Sequence, residues 1–144
     1  MKIAIDIIKK FEGCKLTSYK CQAGIWTIGY GSTYYENGNK VNSGDSISQQ
    51  RAESLLLTTV TKFASEVNKI VKSNVNDNQI SALISFAFNL GVGALKKSTL
   101  LKLVNANQND PQIAHEFMKW VNAGGEPSNG LINRRRAELH LYFS

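Results

Sequence analysis

The sequence predicts a single α+β domain with a small antiparallel sheet near its N-terminus and a helical remainder, and three stretches carry that prediction. Residues 2–12 set Ala4, Ile7, Ile8 and Phe11 at i, i+3, i+4 and i+7, one face of a helix. From Leu16 to about Val41, the residues Tyr19, Ile25, Trp26, Thr27, Ile28, Tyr30, Tyr34 and Tyr35 favour strand. They are punctuated by Gly24, Gly29, Gly31 and Asn37-Gly38, as expected of short strands joined by tight turns. Beyond residue 48 the helical spacing returns and continues to the end of the chain.

Taken in order, the first helix stops at Gly13 and leaves Glu12 at its exit. After the Asn42-Ser-Gly-Asp45 loop, Ser48 can cap a helix carrying Ala52, Leu55, Leu56, Val60, Phe63, Val67 and Ile70, long enough to join two lobes. Asn76 and Gln79 have the spacing of a capping box. They open an apolar run from Ile80 to Leu90, relieved only by Ser81, Ser85 and Asn89, which is expected to be buried nearly all round. Further helices are predicted from Ser98, from Pro111 and from about Leu131 to Phe143. The expected organisation is one domain over 1–144, with lobes at about 12–47 and 72–144 and a connecting helix at about 48–71.

Composition narrows the function classes. A 144-residue chain that is 42% hydrophobic and 19% charged can bury a core. No stretch approaches the roughly 18 consecutive apolar residues of a membrane span. Met1 to Phe11 is interrupted by Asp6, Lys9 and Lys10, so neither stable membrane insertion nor an export signal is expected. The formal charge of +6 favours a polyanionic partner: nucleic acid, an anionic membrane or an acidic wall polymer. A pI near 9.4 and the Arg134-Arg-Arg136 run suggest nucleic acid, but no aromatic-basic interleaving or DNA-reading motif supports it. Two cysteines and two histidines show no zinc-ligand spacing, and His115-Glu116 lacks the second His of H-E-x-x-H, so no metal or other cofactor is expected.

The segment from Phe11 to Thr33 holds one acid, Glu12. Eight residues separate it from Cys21 and five more separate Cys21 from Thr27, so a helix-end carboxylate, a thiol and a hydroxyl can converge if the strands fold back. This E-x8-C-x5-T spacing, followed by I-G-Y-G, resembles the phage lysozymes, or endolysins, of glycoside hydrolase family 24, whose pattern is E-x8-(D/C)-x5-T. The likeness continues through Phe86-Ala-Phe-Asn-Leu-Gly91, Ser98-Thr-Leu-Leu101, Trp120-Val-Asn122 and Gly130-Leu-Ile-Asn-Arg-Arg-Arg-Ala-Glu138, in order over nearly the whole chain.

The resemblance implies a lysozyme-like fold with the cleft between the lobes. It also implies hydrolysis of the β-1,4 bond between N-acetylmuramic acid and N-acetylglucosamine in peptidoglycan, by a monomer that reaches the wall from the host cytoplasm with the help of a holin. Such a reaction commonly uses two carboxyl groups. Asp6 lies on the same predicted helix, about 9 Å from Glu12 along the axis and rotated away, so Glu12 is the candidate general acid. Aromatics such as Trp26 or Tyr30 are expected to wall it. Cys21, where many relatives carry Asp, and Thr27 are the candidates for holding the water, with inversion as the implied outcome; Cys21 is an unlikely simple base, since a free thiol is mostly neutral at pH 7. A lytic transglycosylase, which would need no water, and a wall-binding module without turnover are the rivals.

By the same resemblance Thr33, Phe88, Asn89 and Ser98 match cleft-lining positions, although core packing explains Phe88 equally well. Arg134 matches an arginine that reaches the acid, whereas Arg135 and Arg136 read as a solvated face. Ser32 stands where the family usually has His, which removes a carboxylate pairing. Cys14 and Cys21, six residues apart across an expected chain reversal, either remain thiols or pair as a redox control.

Overall fold

A computed structural model describes residues 1–144, and its first element is the expected helix α1, Lys2–Glu12. It ends at Gly13, whose φ of 66° lies in the left-handed region open to glycine, and whose N–H closes on Lys9 O at 3.3 Å. The chain then enters β1, Lys15–Lys20, turns, and returns as β2, Trp26–Gly29, antiparallel, with Tyr19 opposite Thr27 and Lys20 opposite Trp26. The turn is closed by Cys21 N–H to Ile25 O at 3.0 Å and Gly24 N–H to Cys21 O at 2.9 Å.

The sheet is smaller than the β-favouring stretch suggests. After Gly29 only isolated bridges form, Ile28 with Ser32, Tyr34 with Lys40 and Thr17 with Ser46. Gly29, Gly31 and Gly38 all adopt positive φ, which turns the backbone before a third strand can extend. Asp45 ties this loop region together, accepting from the Tyr35 hydroxyl at 2.7 Å and from Asn42 N–H at 2.9 Å. Those donors, Asn42 first and then Tyr35, hold its carboxyl below the usual carboxylate range.

Helix α2, Gln49–Ile70, starts at Ser48, whose hydroxyl accepts from Arg51 N–H at 3.1 Å. It packs on β2, α1 and α3 through the stripe that includes Ala52, Leu56, Val60 and Val67. The capping box at Asn76 is present: Asn76 Oδ1 accepts from Gln79 N–H at 2.8 Å while Gln79 Oε1 accepts from Asn76 N–H at 2.9 Å, opening α3, Asp77–Leu90. Asn76→Ala is expected to lower stability by ~1 kcal/mol, read by urea denaturation with an unchanged m-value.

Helix α3 is the centre of the fold, with α1, α2 and α7 packed on it and every residue from Ser81 to Ala87 buried. The remaining helices are α4 (Val92–Lys97), α5 (Thr99–Ala106), α6 (Gln112–Phe117) and α7 (Asn129–Tyr142). Two features escape the sequence reading. One is α4, a six-residue helix too short for a periodic stripe. The other is a two-residue hairpin, β3 (Asn122–Ala123) with β4 (Glu126–Pro127), turned by Gly124 and Gly125 at positive φ.

Candidate active site

Glu12 is the last residue of α1, and its carboxylate meets α7. Arg134 Nη1 approaches Glu12 Oε2 at 3.5 Å; the Glu12 side chain is 22% exposed and that of Arg134 only 4%. A buried cation and a solvent-reaching acid therefore meet where α1 ends. The same guanidinium stands 5.7 Å from the Phe11 ring centroid. Trp26 and Tyr30, expected to wall the acid, are engaged by other groups. Lys20 lies over the Trp26 ring at 5.5 Å, and the Tyr30 hydroxyl accepts from Gln49 Nε2 at 3.1 Å.

Facing this corner is the β1–β2 hairpin. Tyr19 lies opposite Thr27 in the register, and its phenol is held above the ordinary value by burial first, then by the negative charges of Glu12 and Cys21. Tyr19 thus stands close enough to both groups to feel their charge, and it was visible in the sequence only as a strand former. Cys21 is half-buried, and the backbone at Ile25, then at Ala23, with a smaller contribution from the Thr27 hydroxyl, lowers the thiol's pKa. Thr27 is buried, its hydroxyl donating to Ile25 O at 3.0 Å.

The cleft extends from the hairpin to α3. A cavity of about 280 Å³ is lined by Gly31, Ser32, Thr33, Tyr34, Thr59, Phe63 and Phe88, and one of about 360 Å³ shares Thr33 and Tyr34 and continues past Trp26 to Asn42. Phe88 is only half-buried and stacks on Phe63 at 5.4 Å, so it both lines the cleft and packs. Ser98 does not offer a free group: it is buried, donates to Leu95 O at 2.6 Å and accepts from Leu101 N–H at 3.0 Å as the cap of α5. A larger concavity of about 670 Å³ lies between α1 and α7, along Arg136 on a different face of α7 from Arg134. Of its lining side chains, the one carboxylate, Asp6, pairs with Lys2 at 3.4 Å.

One expectation is corrected: Arg135 is fully buried instead of solvated. Its Nη1 donates to Glu138 Oε1, Nη2 to Asn89 Oδ1 and Nε to Trp120 O at 3.1 Å. Arg136 is exposed as expected. Of the two alternatives for Cys14 and Cys21, which flank the six-residue strand β1, the structure has the unlinked thiols. At about 3.3 Å per residue, an extended strand holds its two flanks on the order of 20 Å apart, far beyond the roughly 7 Å that a disulfide allows. Both are free thiols, and Cys14 Sγ instead lies 3.7 Å from Gln49 Oε1.

Fold and geometry together define a lysozyme-type domain, a small antiparallel sheet on a mostly helical body with an acid at the end of its first helix, and the comparisons place it. The chain belongs to the phage lysozyme family, whose model matches residues 9–138. It is 43% identical over 142 residues to an endolysin of Bacillus phage B103, covering 97% of this chain but 52% of that protein, so it spans about half the length of that relative. An endolysin of Acyrthosiphon pisum secondary endosymbiont phage 1 is 40% identical over 142 residues, covering 96% of this chain and 93% of that one. Among solved structures, an endolysin from Escherichia coli O157:H7 phage FAHEc1 superposes with a TM-score of 0.92 at 38% identity, covering 100% of this chain and 92% of that one.

Proposed function

We propose that this chain is a muramidase that hydrolyses the β-1,4 bond between N-acetylmuramic acid and N-acetylglucosamine in peptidoglycan, serving phage lysis of the host. The observation that carries the reading is the meeting of the half-buried Glu12 and the buried Arg134 at the end of α1, facing the hairpin that bears Cys21 and Thr27. Glu12 gives its proton to the leaving glycosidic oxygen as the bond from the anomeric carbon breaks. The carboxylate left behind faces the buried Arg134 guanidinium, which offsets the new negative charge.

On the other face of the sugar, Cys21 and Thr27 hold a water whose oxygen bonds to the anomeric carbon, giving inversion; the proton this water sheds passes to bulk water, from which Glu12 is reprotonated. Cys21 is polarised for this by the turn backbone at Ile25 and Ala23. Thr33 and Phe88 line the binding wall, and Asn89, next to Phe88 on α3 with its Oδ1 held by Arg135, is assigned to it by the family resemblance. The +6 charge suits a wall polymer that carries carboxylates. Access through a holin belongs to the same proposal, and coexpression with and without a holin tests it by the timing of lysis.

The test of the reaction is mass analysis of digested peptidoglycan. New reducing ends with a water added support hydrolysis, 1,6-anhydro ends identify a transglycosylase, and uncut strands identify a binding module. For the water site, Cys21→Asp is expected to stay active, while Thr27→Ala loses roughly tenfold or more in kcat with KM little changed. If Cys21→Ala and Thr27→Ala both turn over like the parent, the water is held elsewhere.

A further inference from the structure

We propose that Glu138 is a positioning residue that sets the acid and the binding wall together, through two arginines held in one buried network. This rests on the muramidase reading. Glu138 is fully buried and both of its oxygens are occupied. Oε1 accepts from Arg135 Nη1; Oε2 accepts from Ser85 Oγ at 2.6 Å and from Arg134 Nε at 3.3 Å. Each guanidinium then reaches outward with its other arm, Arg134 Nη1 to Glu12 Oε2 and Arg135 Nη2 to Asn89 Oδ1. An unbroken path runs Glu12, Arg134, Glu138, Arg135, Asn89, from the proposed proton donor on α1 to the residue of α3 that follows the cleft-lining Phe88.

The remaining contacts hold the two forks in place. Arg134 Nη2 donates to Ser85 O at 3.2 Å, Arg135 Nε donates to Trp120 O, and the Arg135 guanidinium stacks 5.0 Å from the Phe86 ring centroid. A buried ion cluster of this kind adds little net stability over apolar packing of the same volume. It does add direction: a planar guanidinium fixed on one edge by a buried carboxylate can aim its other edge at only one place. Glu138 fixes two such edges, and they aim at different elements, Glu12 at the end of α1 and Asn89 on α3.

The experiment is steady-state kinetics on soluble, uncross-linked peptidoglycan strands with the parent, Asn89→Ala, Glu138→Gln and the double variant, each shown to be folded by circular dichroism. Asn89→Ala should raise KM roughly tenfold with kcat little changed, as for loss of one well-placed hydrogen-bonding group. Glu138→Gln should raise KM similarly and also lower kcat by roughly tenfold or more, because both arms lose their anchor. The double variant should show a KM no higher than Glu138→Gln alone, since the Asn89 contact is already lost. General loosening of α7 would instead make the KM effects multiply, and that result overturns the proposal, as does a folded Glu138→Gln within about twofold of the parent in both constants.

Should Glu138→Gln fail to fold, Arg135→Lys supplies the answer. It keeps the buried charge against Glu138 but loses the fork's arm to Asn89, so KM should rise as in Asn89→Ala with kcat near the parent, and an unchanged KM overturns the proposal. A parent that cuts no strand removes the muramidase reading and this inference with it. A parent that cuts strands while the variants' effects multiply removes this inference alone.

Discussion

Glu12→Gln is expected to lose at least ~10²-fold in the rate of wall hydrolysis while remaining folded, because it removes a general acid without changing the shape of the side chain. The amide oxygen can still accept from Arg134 Nη1, so the end of α1 keeps its contact with α7. The amide has no proton to give to the leaving oxygen at neutral pH. Asp6 cannot take over, since it is exposed, pairs with Lys2, and lies along the separate concavity between α1 and α7. Turbidity clearing of isolated walls, measured beside a thermal melt, checks both halves of the expectation. A folded variant with near-parental clearing would remove Glu12 from the chemistry and with it the mechanism proposed above.

The largest expected effect on stability belongs to Phe86→Ala. Phe86 is fully buried in α3, meets Phe117 edge-on at 6.0 Å and Trp120 edge-on at 5.4 Å, and forms the apolar floor beneath the Arg135 guanidinium. Removing the ring forfeits its transfer energy and leaves a cavity among rigid neighbours, at a cost of about 3–5 kcal/mol. For a chain of this size that corresponds to a fall of roughly 10 °C in the unfolding midpoint. Because Arg135 would lose its floor, activity should fall by more than the folded fraction alone explains. Calorimetry paired with activity measured well below the new midpoint separates the two effects. A loss under ~1 kcal/mol would mean that α3 is not the packing centre it appears to be from its neighbours.

Much of this protein was determined by local sequence. The amphipathic face of α1, the stop at Gly13, the Ser48 cap of the long α2 and the Asn76–Gln79 capping box are decided within a few residues of themselves, and each is present as its pattern predicts. The helix end at Glu12 and the hairpin that follows it, with Cys21 at its turn and Thr27 on its second strand, were also legible from the turn residues between them. Even the all-round burial of α3 follows from its composition, since a helix apolar on every side needs neighbours on every side.

Tertiary structure alone decided the rest. Helix α7 has no apolar stripe that would reveal its buried face, because Arg134, Arg135 and Glu138 form part of that face and their burial depends on partners far away in sequence: Glu12, Ser85, Asn89 and Trp120. By resemblance Arg134 alone was expected to turn inward, and Arg135 and Arg136 read as a solvated face. Only the packing of α7 on α3 shows that two of the three arginines are neutralised inside and one is exposed. The two cysteines give another case: their separation in sequence left both pairing and free thiols open, and an extended strand between them holds them apart. Ser98 likewise matched a binding position by motif but uses its hydroxyl as a helix cap. Periodicity and capping report backbone preferences that act over a few residues, whereas the burial of charge depends on which distant groups arrive to satisfy it.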